Sequence, residues 1–161
     1  MKKNEAFSAD YLSPLGHLHV SGHGSSISGI SMSPAGRLPA GQAGKAGKLP
    51  ASVRLALDKY FKGIAHRPRG RFLLKGTPFQ TKVWHALSLI PWGESISYGE
   101  LARRIKRPKA VRAVANAVGS NPVAILIPCH RVVGSDGSLT GYAYGLKKKA
   151  WLLNHEKMDR G

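Results

Sequence analysis

Apolar and polar positions alternate along residues 7–33, with Leu15, Leu18 and Val20 in "SPLGHLHVSG" and then, less regularly, Ile27, Ile30 and Met32 in "SSISGISMS". A period of two broken by Gly and Ser predicts short strands in a small antiparallel meander. Residues 33–50, "SPAGRLPAGQAGKAGKLP", have no period and concentrate Gly, Ala and Pro, the composition of a flexible loop. From Pro50 the period becomes helical: Val53, Leu57, Tyr60 and Phe61 share a face, with Pro50 near the start and Gly63 past the end. "IAHRPRGRFLLKGTP" follows as a basic connector with a short strand expected from Phe72 to Leu74.

Helical spacing returns at Phe79, Val83, Trp84, Leu87 and Ile90, behind Thr77 as a cap and Pro78 in the first turn. After a turn from Pro91 to Gly93, Ser97 with Glu100 three residues on has the form of a capping box and opens a second helix. Pro108 breaks it. A third helix then carries an apolar stripe of Val111, Val114, Ala115 and Val118, and the pair reads as a helix-turn-helix. "VAILIP", residues 123–128, is a partly β-branched apolar run and predicts a buried strand ending at Cys129. An amphipathic helix is expected from about Leu146. The predicted architecture is α/β of the α+β kind. Residues 1–76 form an N-terminal lobe with an antiparallel sheet and a helix. Residues 77–161 form a mostly helical lobe with the helix-turn-helix and a short active-site strand.

Charge changes the picture. The chain has 25 Lys+Arg against 8 Asp+Glu, a formal net charge of +17 over 161 residues. The excess lies on both sides of residue 70, so no tail accounts for it, and a field of this size attracts polyanions, nucleic acid first. Arg103, Arg104, Lys106, Arg107, Lys109 and Arg112 fall within twelve residues that contain no acid. Phosphate contacts from such a run are salt-sensitive, although part of it is expected to be plain solvated surface. In the third helix Ala110, Ala113, Ala115, Ala117 and Gly119 leave room for close approach to a groove. No run reaches the roughly 18 apolar residues of a membrane span, and "MKKNEAFSADYLS" has no apolar segment behind its basic start. A soluble, cytoplasmic protein without a membrane partner is expected, nucleoid-associated in a prokaryote.

Cys129 is the only cysteine, which excludes an internal disulfide and a sulfur-rich zinc site. A thiol in apolar surroundings is ordinarily an inert packing residue. Two neighbours argue otherwise: Pro128 has no amide hydrogen to place in a ladder, and His130 supplies an imidazole. Adjacent residues of an extended chain point opposite ways, so a bridging water is as good a link between them as direct contact. An imidazole in turn needs a group to hold its tautomer, and Glu156 in "WLLNHEKM" is the acid the last helix would carry back. His17, His19 and His23 lack an acid cluster and read as surface or hairpin positions, not metal ligands.

"PCHRV" at 128–132, preceded by "NPVAILI" and followed by "GYAYGLKKKAWLLNHE", resembles the O6-alkylguanine-DNA alkyltransferases, the methylated-DNA–protein-cysteine methyltransferases, from about Phe79 to Glu156. "SPLGHLHV" is similar to the opening strand of that family's N-terminal lobe. The resemblance implies repair by direct reversal: an alkyl group, mainly methyl, passes from O6 of guanine, or O4 of thymine, to Cys129 in one irreversible turnover after the base is flipped out of duplex DNA. It makes Cys129 the acceptor, His130 the base acting through a water, Glu156 its orienting acid, and Asn121 the tie between recognition helix and active-site segment. Tyr98 would rotate the nucleotide and donate toward guanine N3, and Arg112 would fill the vacated stack. Arg107, Lys109 and Ser135 are assigned as further DNA contacts, and Tyr142, Ala143, Tyr144 and Val132 as the base pocket. Ala143 stands where some members have serine. Tyr144 stands where some have glycine, so a narrower pocket preferring methyl over benzyl is expected. No cofactor and no zinc are expected, and the protein is expected to act as a monomer. Three rivals are weighed against this. A reader of alkylated bases would lack Cys129. A cysteine hydrolase would cycle and leaves the +17 charge unused. In a transcription factor the thiol would be incidental.

Overall fold

The computed structural model describes residues 5–32, 48–64 and 70–158. It divides into two compact units, one of residues 1–74 with 122–124 and one of 75–121 with 125–161.

In the first unit, β1 (Ala6–Ser13), β2 (Gly16–His23) and β3 (Ser26–Met32) form the expected antiparallel meander. Leu15 belongs to the tight β1–β2 turn, where Gly16 takes φ 97. The irregular spacing of Ile27 and Ile30 has a cause. Ser21 pairs with Gly29 and Gly22 with Ile27, so Ser28 is an extra residue in a bulge, and both isoleucines face the core. The helix after Pro50 is α1 (Ala51–Phe61), burying Val53, Leu57 and Tyr60, with Gly63 in the left-handed region at φ 69. The Tyr11 hydroxyl donates to Asp58 of that helix at 2.6 Å. The short strand lies earlier than expected, as β4 (Arg71–Phe72), and is parallel to β3. Of the expected 33–50 loop, 33–47 lie outside the described residues, and Lys48–Pro50 have no regular structure. His17 and His23 are exposed, whereas His19 is buried beside Asp10 (3.3 Å) and Ser8 (2.9 Å).

In the second unit, α2 (Pro78–Ser88) has the full capping box, Thr77 and Gln80 each bonding the other's backbone N–H. Trp84 on its buried face donates from Nε1 to the Ala117 carbonyl at 2.8 Å, and its ring lies so close to Gly76 that a Cβ there would meet it at 2.5 Å. The helix pair is α3 (Tyr98–Arg104) and α4 (Val111–Gly119), joined through Lys106 at φ 61. Two details differ from expectation. The Ser97 hydroxyl accepts from the Glu100 N–H, but the Glu100 carboxylate does not close the box. It turns to the guanidinium groups of Arg103 (2.7 Å) and Arg104 (3.4 Å), one helical turn on, which outcompete a single backbone N–H. On α4 the buried stripe is Val114, Ala117 and Val118, because Trp84 docks at Ala117. Val111, in the first turn, is 38% exposed.

The largest departure is residues 123–128, which form no strand. The run is buried throughout, but its strand-like pairing is an isolated bridge between Val123 and Ile30, and Ile125 stands at φ 74. The Asn121 side chain donates to the Ile127 carbonyl at 2.8 Å and folds the segment back on itself. A ladder is impossible with Pro122 and Pro128 at its ends and a left-handed residue in its middle. Cys129 therefore opens a single 3-10 turn, Cys129–Arg131. The strand, β6 (Val132–Val133), follows the cysteine and pairs in parallel with β5 (Ile96–Ser97). The last helix, α5 (Leu146–Met158), begins where expected and buries Lys149, Leu152, Leu153 and Glu156 on one face.

Candidate active site

The 3-10 turn turns Cys129, His130 and Arg131 all inward: they are 7%, 0% and 4% exposed. A tight turn sends successive side chains to different neighbours, and these three differ accordingly. The His130 Nε2 is 2.7 Å from Glu156 Oε2. Arg131 clamps the same carboxylate, Nε to Oε1 at 2.5 Å and Nη2 to Oε2 at 3.1 Å, and its Nη1 donates to the Ile90 carbonyl at 2.6 Å. The guanidinium also lies 5.9 Å from the Trp92 ring centroid. One buried carboxylate thus serves two buried side chains and accepts from three of their N–H groups.

Electrostatics fix the proton positions. Burial pushes the Glu156 carboxyl upward, but hydrogen bonds and charge from His130 and Arg131 overcome it and hold the group at about 2. Burial drives His130 below its ordinary value, against the opposing pull of Glu156. His130 is then a neutral imidazole facing a carboxylate, so Nε2 carries the proton and donates, and Nδ1 presents a lone pair. That Nδ1 is buried and finds no hydrogen-bond partner in the protein. Burial pushes the Cys129 thiol up, opposed by a hydrogen bond from the Asn121 side chain and by the charge of Lys149. Asn121 thereby ties the end of α4 to the thiol and to Ile127 at once.

Three tyrosines stand close enough to Cys129 for a thiolate to raise their hydroxyl pKa, after burial itself: Tyr98, Tyr142 and Tyr144. The Tyr142 and Tyr144 rings meet edge to face at 5.6 Å, and the Tyr142 hydroxyl is buried without a partner. Ala143 between them is exposed, and Val132 is buried beside the turn. The Tyr98 hydroxyl lies 3.2 Å from the Thr140 carbonyl and 3.3 Å from that of Gly141.

The remaining predicted contacts form a separate group. Arg107, Lys109 and Arg112 are exposed on the α3–α4 connection and the first turn of α4. Ser135 is exposed in a turn closed by Gly134, Asp136 and Ser138, with the Ser138 hydroxyl donating to Asp136 at 2.6 Å. Arg103 and Arg104, engaged by Glu100, are less available than the other four cations of the run. Sequence reasoning missed two groups. Arg131 left no signal. Lys149 did: it shares the helical register of Leu152, Leu153 and Glu156, an apolar face on which a lysine is out of place. Its ammonium is buried, donating to the Val132 carbonyl at 2.5 Å and to that of Thr140 at 2.8 Å.

A basic helix-turn-helix pair, with a thiol, an imidazole and an ionised carboxylate buried in the same unit, is the architecture of a nucleic-acid-binding protein. The family model described as "6-O-methylguanine DNA methyltransferase, DNA binding domain" matches residues 78–158. The methylated-DNA–protein-cysteine methyltransferase of Haemophilus influenzae is 45% identical over 163 residues, covering 94% of this chain and 88% of its own. That of Mycobacterium leprae is 43% identical over 150 residues, covering 90% and 88%. The crystal structure of Mycobacterium tuberculosis OGT in complex with DNA matches with a TM-score of 0.84 at 40% identity, covering 94% of this chain and 93% of that one. The chain belongs to the methylated-DNA–protein-cysteine methyltransferase family. Among the described residues no helix is long and apolar enough to cross a membrane, and no group of three or more His, Cys, Asp or Glu could hold a metal ion.

Proposed function

We propose that this methylated-DNA–protein-cysteine methyltransferase removes an alkyl group, mainly methyl, from O6 of guanine or O4 of thymine in duplex DNA, and accepts it on Cys129 in a single irreversible turnover. The observation that carries the reading is the buried order of groups, thiol, imidazole with a free Nδ1 lone pair, carboxylate held ionised. In this reading Nδ1 of His130 takes the thiol proton through one bridging water, and Glu156 stabilises the imidazolium that forms. The thiolate sulfur attacks the alkyl carbon in line, the carbon–oxygen bond breaks, and its electron pair stays with the guanine. Tyr98 gives a proton toward guanine N3, so the base leaves neutral, and the proton that His130 took from the thiol returns through water to the Tyr98 oxygen, which leaves both side chains as they began. The product on Cys129 is a thioether, which has no leaving group comparable to the base. The protein stops after one alkyl.

Arg112 fills the stack that the flipped nucleotide leaves, while Arg107, Lys109 and Ser135 hold the backbone. Tyr142, Ala143, Tyr144 and Val132 form the base pocket, with Tyr142 as an aromatic wall. The protein acts as a monomer without cofactor. The test is intact-mass analysis after incubation with a duplex containing O6-methylguanine. The expected result is one added methyl on the peptide with Cys129, absent in Cys129→Ala; unmodified protein beside unrepaired DNA would overturn the reading. A multiply cycling protein would favour the hydrolase instead. Because Tyr144 crowds the pocket, free O6-benzylguanine should inactivate this protein more slowly than a Tyr144→Gly variant, and equal rates would remove the steric assignment.

A further inference from the structure

Lys149 takes no step in the chemistry above beyond the pull of its charge on the Cys129 thiol, yet it is fully buried, and no carboxylate among the described residues pairs with it: Glu156 holds His130 and Arg131, Glu100 holds Arg103 and Arg104, and Asp136 holds Ser138. An ammonium out of water without a counter-charge persists only where its donors are well used. Here two reach carbonyls, Val132 on β6 and Thr140, and the nitrogen also lies 6.0 Å from the centroid of the Tyr98 ring. The lysine therefore bridges the strand directly after the acceptor turn to the residue directly before "GYAYG", residues 141–145.

Two glycines bound that segment. Gly141 stands at φ 59 and Gly145 at φ 100, left-handed conformations that glycine enters without strain, and between them lie the two tyrosines facing the thiol. Its leading end has two holds on the same acceptor. The Thr140 carbonyl receives the Lys149 ammonium and also the Tyr98 hydroxyl, which has one proton to divide between Thr140 and Gly141. A hydroxyl that turns to a nucleotide must give up both carbonyls.

We propose that Lys149 is a positioning residue for the base pocket: it pins the start of the 141–145 wall through Thr140, so that Tyr98 can leave that carbonyl for the flipped nucleotide without the wall swinging out on its two glycines. The proposal rests on the base-pocket reading of Tyr142 and Tyr144.

Hydrogen exchange followed by mass spectrometry tests it on the full chain. In Lys149→Met, amides of residues 140–145 should exchange about tenfold faster while those of β1, β2 and α1 are unchanged. In Tyr98→Phe they should exchange at the wild-type rate, since the lysine still holds Thr140. In single-turnover repair of an O6-methylguanine duplex, Lys149→Met should lower the limiting rate about tenfold with half-saturating DNA concentration little changed. Unchanged exchange at 140–145 in Lys149→Met would overturn the proposal. So would a Tyr98→Phe variant that loosens the wall by itself, a result that needs no lysine variant to fold. Failure of wild-type protein to take a methyl on Cys129 would instead overturn the underlying reading, and the two failures are separate measurements.

Discussion

The acceptor turn and the α3–α4 surface use the same residue types in opposite ways. Arg131, Glu156 and Lys149 are buried, each with named partners at fixed distances; Arg112 and Lys109 are cations in the open. Inside, charge sets geometry and proton position, because every unmatched group costs its full desolvation. Outside, water screens the same charges, and their use lies in being free to meet phosphate. A basic protein can thus carry two populations of ionic groups that mutation should separate cleanly.

The sharpest separation is expected at Glu156. Glu156→Gln leaves Arg131 and His130 without their shared carboxylate, and should cost about 3–5 kcal/mol of stability, measured by urea unfolding, with loss of methyl transfer in the surviving folded protein. A change under about 1 kcal/mol would mean that the buried cluster behaves like a surface pair. Acid should find the same weakness. Glu156 is held at about 2 against an ordinary 4.5, so its contribution is complete above 4.5 and is lost as pH falls toward 2. His130, depressed by burial, acts in the same direction from its ordinary value of 6.5 downward, because the unfolded chain takes up its proton first. Melting temperature followed from pH 7 to 3 should fall in both windows, and Glu156→Gln should flatten the lower one.

On the exposed side stability should not move. If Arg112 fills the vacated stack as proposed, Arg112→Ala should slow repair of duplex DNA about tenfold while reaction with free alkylated base falls far less, since that role touches flipping and not transfer. Equal losses on both substrates would remove it from that role. The smallest effect belongs to Lys109→Ala, expected to weaken DNA binding alike for damaged and undamaged duplex and to reduce the salt dependence by about one phosphate contact. A selective loss on damaged DNA would make Lys109 part of the site.

Legibility followed the range of the interaction. The Thr77 cap with Pro78 behind it, the Ser97 hydroxyl cap, the meander and the start of α5 at Leu146 all depend on residues a few positions apart, and were readable; that Gln80 closes the box at Thr77, and Glu100 does not close one at Ser97, was not. Glu156 was reachable as a candidate because a helix from about Leu146 could carry an acid back, and the family resemblance gave it its role; its burial on the face of Leu152 and Leu153 came with the structure. The apolar run 123–128 misled because burial alone has no period: six consecutive buried residues say that water is excluded, and nothing about which backbone groups pair.

By itself the sequence determined the helices and their caps, the polyanion-seeking charge, and the placing of one thiol beside one imidazole. The tertiary structure decided that the thiol opens a 3-10 turn and that Glu156, 26 residues on, reaches Nε2 of His130. It also decided that Arg131 and Lys149 are interior ions. Local order comes from hydrogen bonds within a turn or two of chain. A buried charge finds its partner only when distant segments close around it, since nothing short of that removes the water.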